Sequence, residues 1–110
     1  MDREKEKEIQ ARILSWLEAA GHLHWKMHVA GMRFSGKGRG RNPLTGHPDI
    51  AGVLKSGRYF AIEVKQPGAK LKPHQSEWRR DLEANGVLYI VATCVDDVAR
   101  ALYDAMKSAS

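Results

Sequence analysis

Apolar residues recur at helical spacing near the start of the chain. Ile9, Ile13, Trp16, Leu17 and Ala20 predict one stripe of a helix over residues 3–20, with Gly21 as its C-terminal stop. His24 to Phe34 reads as a strand, interrupted in its pattern by His28, Ala30 and Arg33. Residues 35–46 are too rich in glycine for regular structure, and a loop of that length in a small domain usually serves function. Asp49–Leu54 and Arg58–Lys65 are strands joined through Lys55-Ser56-Gly57 as a hairpin. Gln66-Pro67-Gly68-Ala69-Lys70 ends the second of them, and Pro73 opens a helix that closes at Asn85-Gly86. Val87–Thr93 is a continuous apolar run, which predicts a strand in the centre of a sheet. Asp96 or Asp97 caps a last helix running through Lys107, with Val98, Leu102 and Met106 on its inner face. The predicted order is α-β-β-β-α-β-α, without an internal repeat.

At 110 residues the chain holds one core and therefore one domain. Its composition, 43% hydrophobic and 28% charged, is that of a globular protein. No apolar run approaches the roughly 20 residues that cross a bilayer, and the charged start Met1-Asp2-Arg3-Glu4-Lys5 does not resemble a signal peptide. The expectation is a protein of a reduced intracellular compartment without membrane contact, since a single cysteine excludes a disulfide framework. Cys94 follows the apolar run, which predicts a packed thiol.

The formal charge of +5 is unevenly placed. No acid occurs between Glu18 and Asp49, whereas Lys26, Arg33, Lys37, Arg39 and Arg41 all fall there, and the rest of the chain is balanced at 13 basic and 13 acidic residues. Such a stretch suits a polyanion, because each phosphate contact releases condensed counterions; on charge alone a solvated loop that aids solubility fits equally well.

The hairpin carries the chemistry. Glu63 and Lys65 are two apart on a strand and share a face, opposite Phe60, Ile62 and Val64. An acid and an amine inside so apolar a strand are costly unless paired, hydrated or used. A turn centred on Ser56 sets Asp49 opposite Glu63, and a turn centred between Ser56 and Gly57 offsets them by one residue. In either register two carboxylates meet at one end of the ladder, where a shared ion or a cross-strand pair with Lys65 are the available arrangements. Two acidic oxygens, a backbone carbonyl and water are a ligand set that Mg²⁺ accepts. Glu6 falls on the apolar side of the first helix, away from Glu4 and Glu8; a partner near the hairpin or the helix dipole accounts for it. Gln75 shares a face with Trp78 and Leu82, where it either reaches the carboxylates or caps its helix.

His47-Pro48-Asp49-Ile50, then Ala61-Ile62-Glu63-Val64-Lys65, then Pro73-His74-Gln75 resemble the PD-(D/E)XK nuclease superfamily, and within it the compact stand-alone VRR-NUC form of phages and bacteria. The resemblance runs from the Glu6 region through Asp97. It implies an α/β fold with a restriction-endonuclease-like αβββαβ core, a mixed sheet flanked by helices, plus one extra C-terminal helix. It also implies hydrolysis of DNA phosphodiesters with Mg²⁺ or Mn²⁺. Carried over by position, Asp49 and Glu63 are metal ligands, the Val64 carbonyl completes the inner shell, and Glu6 ligates through water. Lys65 orients or activates the attacking water, and Gln75 lies beside the site. Arg33, Lys37, Arg39, Arg41, His47 and His74 are the expected DNA contacts.

The flexible basic loop has no rigid helix for a major groove, which favours recognition of shape over base sequence. The resemblance, since stand-alone VRR-NUC domains look like enzymes of branched DNA, implies a substrate of the Holliday-junction type. A homodimer in the cytoplasm of a bacterium or phage-infected cell is implied by the resemblance. The alternatives are cleavage of flaps, an accessory restriction-type enzyme cutting plain duplex, and a non-catalytic nucleic-acid-binding module. His22, His24 and His28 fit no common zinc spacing, and Gly36-Lys37-Gly38-Arg39-Gly40 lacks the ending of a nucleotide-binding loop. Trp16, Trp25 and Trp78 are expected in the core or at an interface. If the loop contacts phosphates, replacing Lys37, Arg39 and Arg41 together weakens DNA binding and flattens its salt dependence by about three units at most. Binding titrations across a salt series check this; an unchanged slope removes the loop from the interface.

Overall fold

Helix α1 (Asp2–Ala20) opens the chain and lies against the sheet through Ile9, Ile13 and Leu17, the last two fully buried. The computed structural model describes residues 2–27 and 44–108. Within them α1 is followed by β1 (Leu23–Lys26), β2 (Ile50–Val53), β3 (Tyr59–Val64), α2 (Pro73–Ala84), β4 (Leu88–Ala92) and α3 (Val95–Ser108). The predicted order of elements is the observed one, and the fold is α/β with a mixed sheet flanked by helices. The predicted strand from His24 begins one residue earlier, at Leu23, and its part from residue 28 onward lies outside the described residues.

The sheet order is β1-β2-β3-β4, antiparallel across the first two pairings and parallel between β3 and β4. One face, with Ile50, Phe60, Ile62 and Val64, meets α1 and α3 and forms the core together with Ile90, Val98 and Leu102. The other face carries Ala61, Glu63 and Tyr89, with α2 lying against its β4 side. The strand β3 is consequently buried on both faces, which makes the position of its two ionisable residues unusual.

Five sequence expectations change. The Val87–Thr93 run does not lie centrally: β4 is last in the order of described strands. Its apolar character comes from cover by α2 on one face and α3 on the other, which an apolar run reports regardless of how many strands flank it. Ala20 is exposed at the end of α1, and in α3 Ala105 is buried where Met106 is 43% exposed. Cys94 is exposed, because it follows the end of β4 rather than its buried part. The last helix begins at Val95, so neither aspartate is its cap residue. Asp97 instead reaches back from the first turn, and its Oδ2 accepts from the Thr93 N–H at 2.8 Å and the Thr93 hydroxyl at 3.1 Å. The Thr93 N–H is the main reason the Asp97 carboxyl is held below its ordinary range.

The register of the hairpin depends on one small residue. Gly52 pairs with Phe60, and a Cβ on Gly52 would collide with the Phe60 ring and with the Leu23 carbonyl oxygen. Phe60 is itself fully buried, so neither the ring nor the neighbouring backbone has room to move. Gly52→Ala is therefore expected to destabilise the fold by about 1–3 kcal/mol through overpacking, measured as a lower urea midpoint with an unchanged slope.

Candidate functional site

The turn leading into β2 is fastened by α2 before it delivers Asp49. The Trp78 indole N–H donates to the Thr45 carbonyl at 3.0 Å, and the His47 ring packs edge-on against Trp78 at 4.8 Å between centroids. Gly46, at φ +86°, lies so close to α2 that a Cβ there would stand 2.7 Å from the Cβ of His74. On the other side the Met27 N–H donates to the Asp49 carbonyl at 2.8 Å, carrying the β1–β2 ladder one step further. Asp49 is thus fixed by its main chain on one side and by a clamped turn on the other.

Ile50 pairs with Ile62, so the register one step on sets Asp49 level with Glu63, the arrangement of a turn centred on Ser56. Oδ2 of Asp49 accepts a 2.8 Å hydrogen bond from the Val64 N–H. That amide is a contact the sequence gives no hint of, since backbone donors have no residue signature. Oε2 of Glu63 accepts from the Gln75 side-chain amide at 3.1 Å, and Oε1 of Glu63 is buried with no hydrogen-bond partner. Gln75 performs both of its anticipated tasks: its Oε1 accepts from the Lys72 N–H at 2.8 Å at the start of α2 while its Nε2 holds Glu63.

Glu63 is 3% and Lys65 5% exposed, and both open onto a cavity of about 390 Å³. Asp49, Glu6 and Gln75 line the same cavity, and so do Lys70 and Lys72 from the segment after β3. The two lysines were not anticipated; their sequence context is an ordinary polar turn, and only the fold of that segment brings them to the mouth. A cross-strand salt bridge by Lys65 is not observed. The Lys65 charge nonetheless lowers the proton affinity of both carboxyls, while ion pairs such as Arg79–Glu83 and Arg80–Asp81 lie on α2. Neither His47 nor His74 lines the cavity: Nδ1 of His47 is engaged by the Pro48 carbonyl at 2.8 Å, and His74 stands 3.6 Å from Glu77. Arg33, Lys37, Arg39 and Arg41 lie outside the described residues. A slightly larger cavity, about 430 Å³, sits at the turn end of the hairpin beside His22, Lys55 and Met106. His22 there is packed between Trp16 and Phe60, and burial lowers its basicity, which is the behaviour of a packing residue.

Burial raises the proton affinity of both acids. The Glu63 carboxyl is pushed up to about 8, by desolvation first and by the Asp49 carboxylate next. Asp49 is raised less, because the Val64 N–H opposes desolvation. A cation between the two would reverse that balance, replacing a proton by a fixed charge. Among the described residues no three His, Cys, Asp or Glu side chains group closely enough to hold a metal. The donor set is instead two carboxylates, one with an unsatisfied buried oxygen, in a cavity wide enough for water. That fits a hard cation that keeps part of its hydration, such as Mg²⁺ or Mn²⁺, and not a closed zinc site.

The VRR-NUC domain model matches residues 2–96, and the chain belongs to the VRR-NUC family, a family of nuclease-like domains. Two solved structures share the fold. One described as a VRR_NUC domain is 24% identical with a TM-score of 0.66, covering 90% of this chain and 95% of that one. Another, a VRR_NUC domain protein, is 20% identical with a TM-score of 0.58, covering 93% and 88%. No curated protein matches the chain significantly. No helix among the described residues is long and apolar enough to cross a membrane.

The buried acids make metal-free stability depend on pH. Glu63 goes from 4.5 in the unfolded chain to about 8 when folded, so between those values the folded protein keeps a proton that the unfolded chain releases. Stability in EDTA is therefore expected to fall as pH rises through that window. Thermal midpoints at pH 5, 6.5 and 8 check this, and Glu63→Gln is expected to flatten the profile.

Proposed function

We propose that this protein is a divalent-cation-dependent DNA endonuclease that hydrolyses phosphodiesters in branched DNA of the Holliday-junction type. The observation that carries the reading is the pair of buried carboxylates on adjacent strands, one with an unpartnered oxygen, opening with a buried lysine onto a single cavity. A purely structural site of this composition would be expected to close Lys65 on an acid as an ion pair, whereas here its charge acts on both acids without such a contact.

Asp49 and Glu63 would hold Mg²⁺ or Mn²⁺, with the Val64 carbonyl and water as further ligands and Glu6 acting through water. Bound there, such an ion would supply Lewis-acid charge toward the phosphate and the attacking water. The chain does the rest. The Val64 N–H occupies Oδ2 of Asp49 and the Gln75 amide occupies Oε2 of Glu63, which fixes both carboxylates at the cavity wall. Lys65 orients or activates the attacking water and offsets the negative charge that gathers on the phosphate during displacement. Lys70 and Lys72, at the mouth, draw the neighbouring backbone phosphates. Arg33, Lys37, Arg39 and Arg41, with His47 and His74, extend that contact along the DNA. A homodimer would present two matched cavities to a four-way junction through its two-fold axis.

The test uses labelled four-way junction, flap, single strand and linear duplex, each with Mg²⁺, Mn²⁺ or EDTA. Cation-dependent cutting of the junction is expected, with Asp49→Ala and Lys65→Ala each reducing it by about 100-fold or more while binding persists. Preference for flaps or plain duplex would replace the proposed substrate. Binding without cleavage of any substrate in either cation would leave a non-catalytic binding module.

A further inference from the structure

Among the described residues two buried side-chain polar atoms have no hydrogen-bond partner, Oε1 of Glu63 and the hydroxyl of Tyr89. One accepts and the other donates. They belong to neighbouring side chains on one face of the sheet: Tyr89 pairs with Ala61 in the parallel ladder, and Glu63 follows Ala61 by two residues on that same face. A tyrosine is long enough to reach across such a diagonal. Tyr89 is 6% exposed, and the Arg79 guanidinium covers its ring 5.4 Å from the centroid. Arg79 is in turn tied to Glu83 at 3.3 Å, so the ring is closed off from solvent on the α2 side.

A buried hydroxyl left unpartnered is costly, and so is a buried carboxylate oxygen. Burial and the nearby Glu63 charge hold the phenol in its protonated, donating form. A carboxylate oxygen has two lone pairs, so Oε1 can face a cation on one side and accept a hydrogen bond on the other.

We propose that Tyr89 is a positioning residue of the carboxylate site: its hydroxyl donates through one buried water to Oε1 of Glu63 and holds that carboxylate turned toward its cation. Gln75 grips Oε2 from α2, Tyr89 grips Oε1 from β4, and Glu63 is left with one orientation. The assignment rests on the metal-site reading above. Tyr89 does not line the cavity, so it acts through Glu63 and touches neither substrate nor cation.

Tyr89→Phe removes one oxygen and keeps the ring beneath Arg79, so the variant is expected to fold. Two measurements without DNA test the assignment. Calorimetric titration with Mn²⁺ is expected to show affinity weaker by about 10- to 100-fold, the usual effect of losing a group that orients a metal ligand. In EDTA, Tyr89→Phe is expected to lower the thermal midpoint by about 4 °C or more with Glu63 in place, and not to lower it in the Glu63→Met background. Junction cleavage by Tyr89→Phe is expected to recover as Mn²⁺ is raised. Unchanged Mn²⁺ affinity, or an equal thermal effect in both backgrounds, overturns the role of Tyr89 and leaves the metal site standing. Absence of Mn²⁺ binding by the unsubstituted protein overturns the metal-site reading itself.

Discussion

Two carboxylates are forced together at the buried end of a hairpin, and most of the surrounding structure answers that constraint. Desolvation opposes ionisation of both, and the Asp49 charge adds to it at Glu63. The protein meets this with fixed donors: the Val64 amide on Asp49 and the Gln75 amide on Glu63. Lys65 adds its charge, which lowers the proton affinity of both acids, without closing on either as an ion pair.

The scaffold explains why the constraint survives folding. The core lies on the far face of the sheet, where Phe60, Ile62 and Val64 anchor β3 against α1 and α3. With alternate residues of the strand fixed in that core, Glu63 and Lys65 have no choice but to face the other way. The entry to β2 is pinned independently by Trp78 and the tight approach of Gly46 to His74. Two separate anchorages thus set the distance between the acids.

Much of this was legible in the chain. Alternation in Tyr59–Val64 put an acid and an amine on one face, and the symmetry of the hairpin about Ser56 put Asp49 level with Glu63. The helical position of Glu6 placed it toward the same cavity. Local pattern carries such information because it concerns faces and short-range register. It does not carry neighbours. The apolar run of β4 reported cover on two faces and was silent on which strands flank it. Lys70 and Lys72 reach the cavity through the path of a turn, and Tyr89 comes onto the face of Glu63 through a parallel pairing across more than twenty residues, for which no spacing rule exists. The fold and family were therefore readable, while half of the groups around the acids became visible only in three dimensions.

Gln75 ties two regions that could have been independent. One end of its amide secures the first turn of α2 and the other secures Glu63. Helix ends open more readily than helix centres, at a free-energy cost well below that of global unfolding. Fraying of that single turn would release the carboxylate while the core on the opposite face stayed intact. The molecule accordingly has a built-in order of failure, in which competence at the cavity is lost at milder stress than the fold itself.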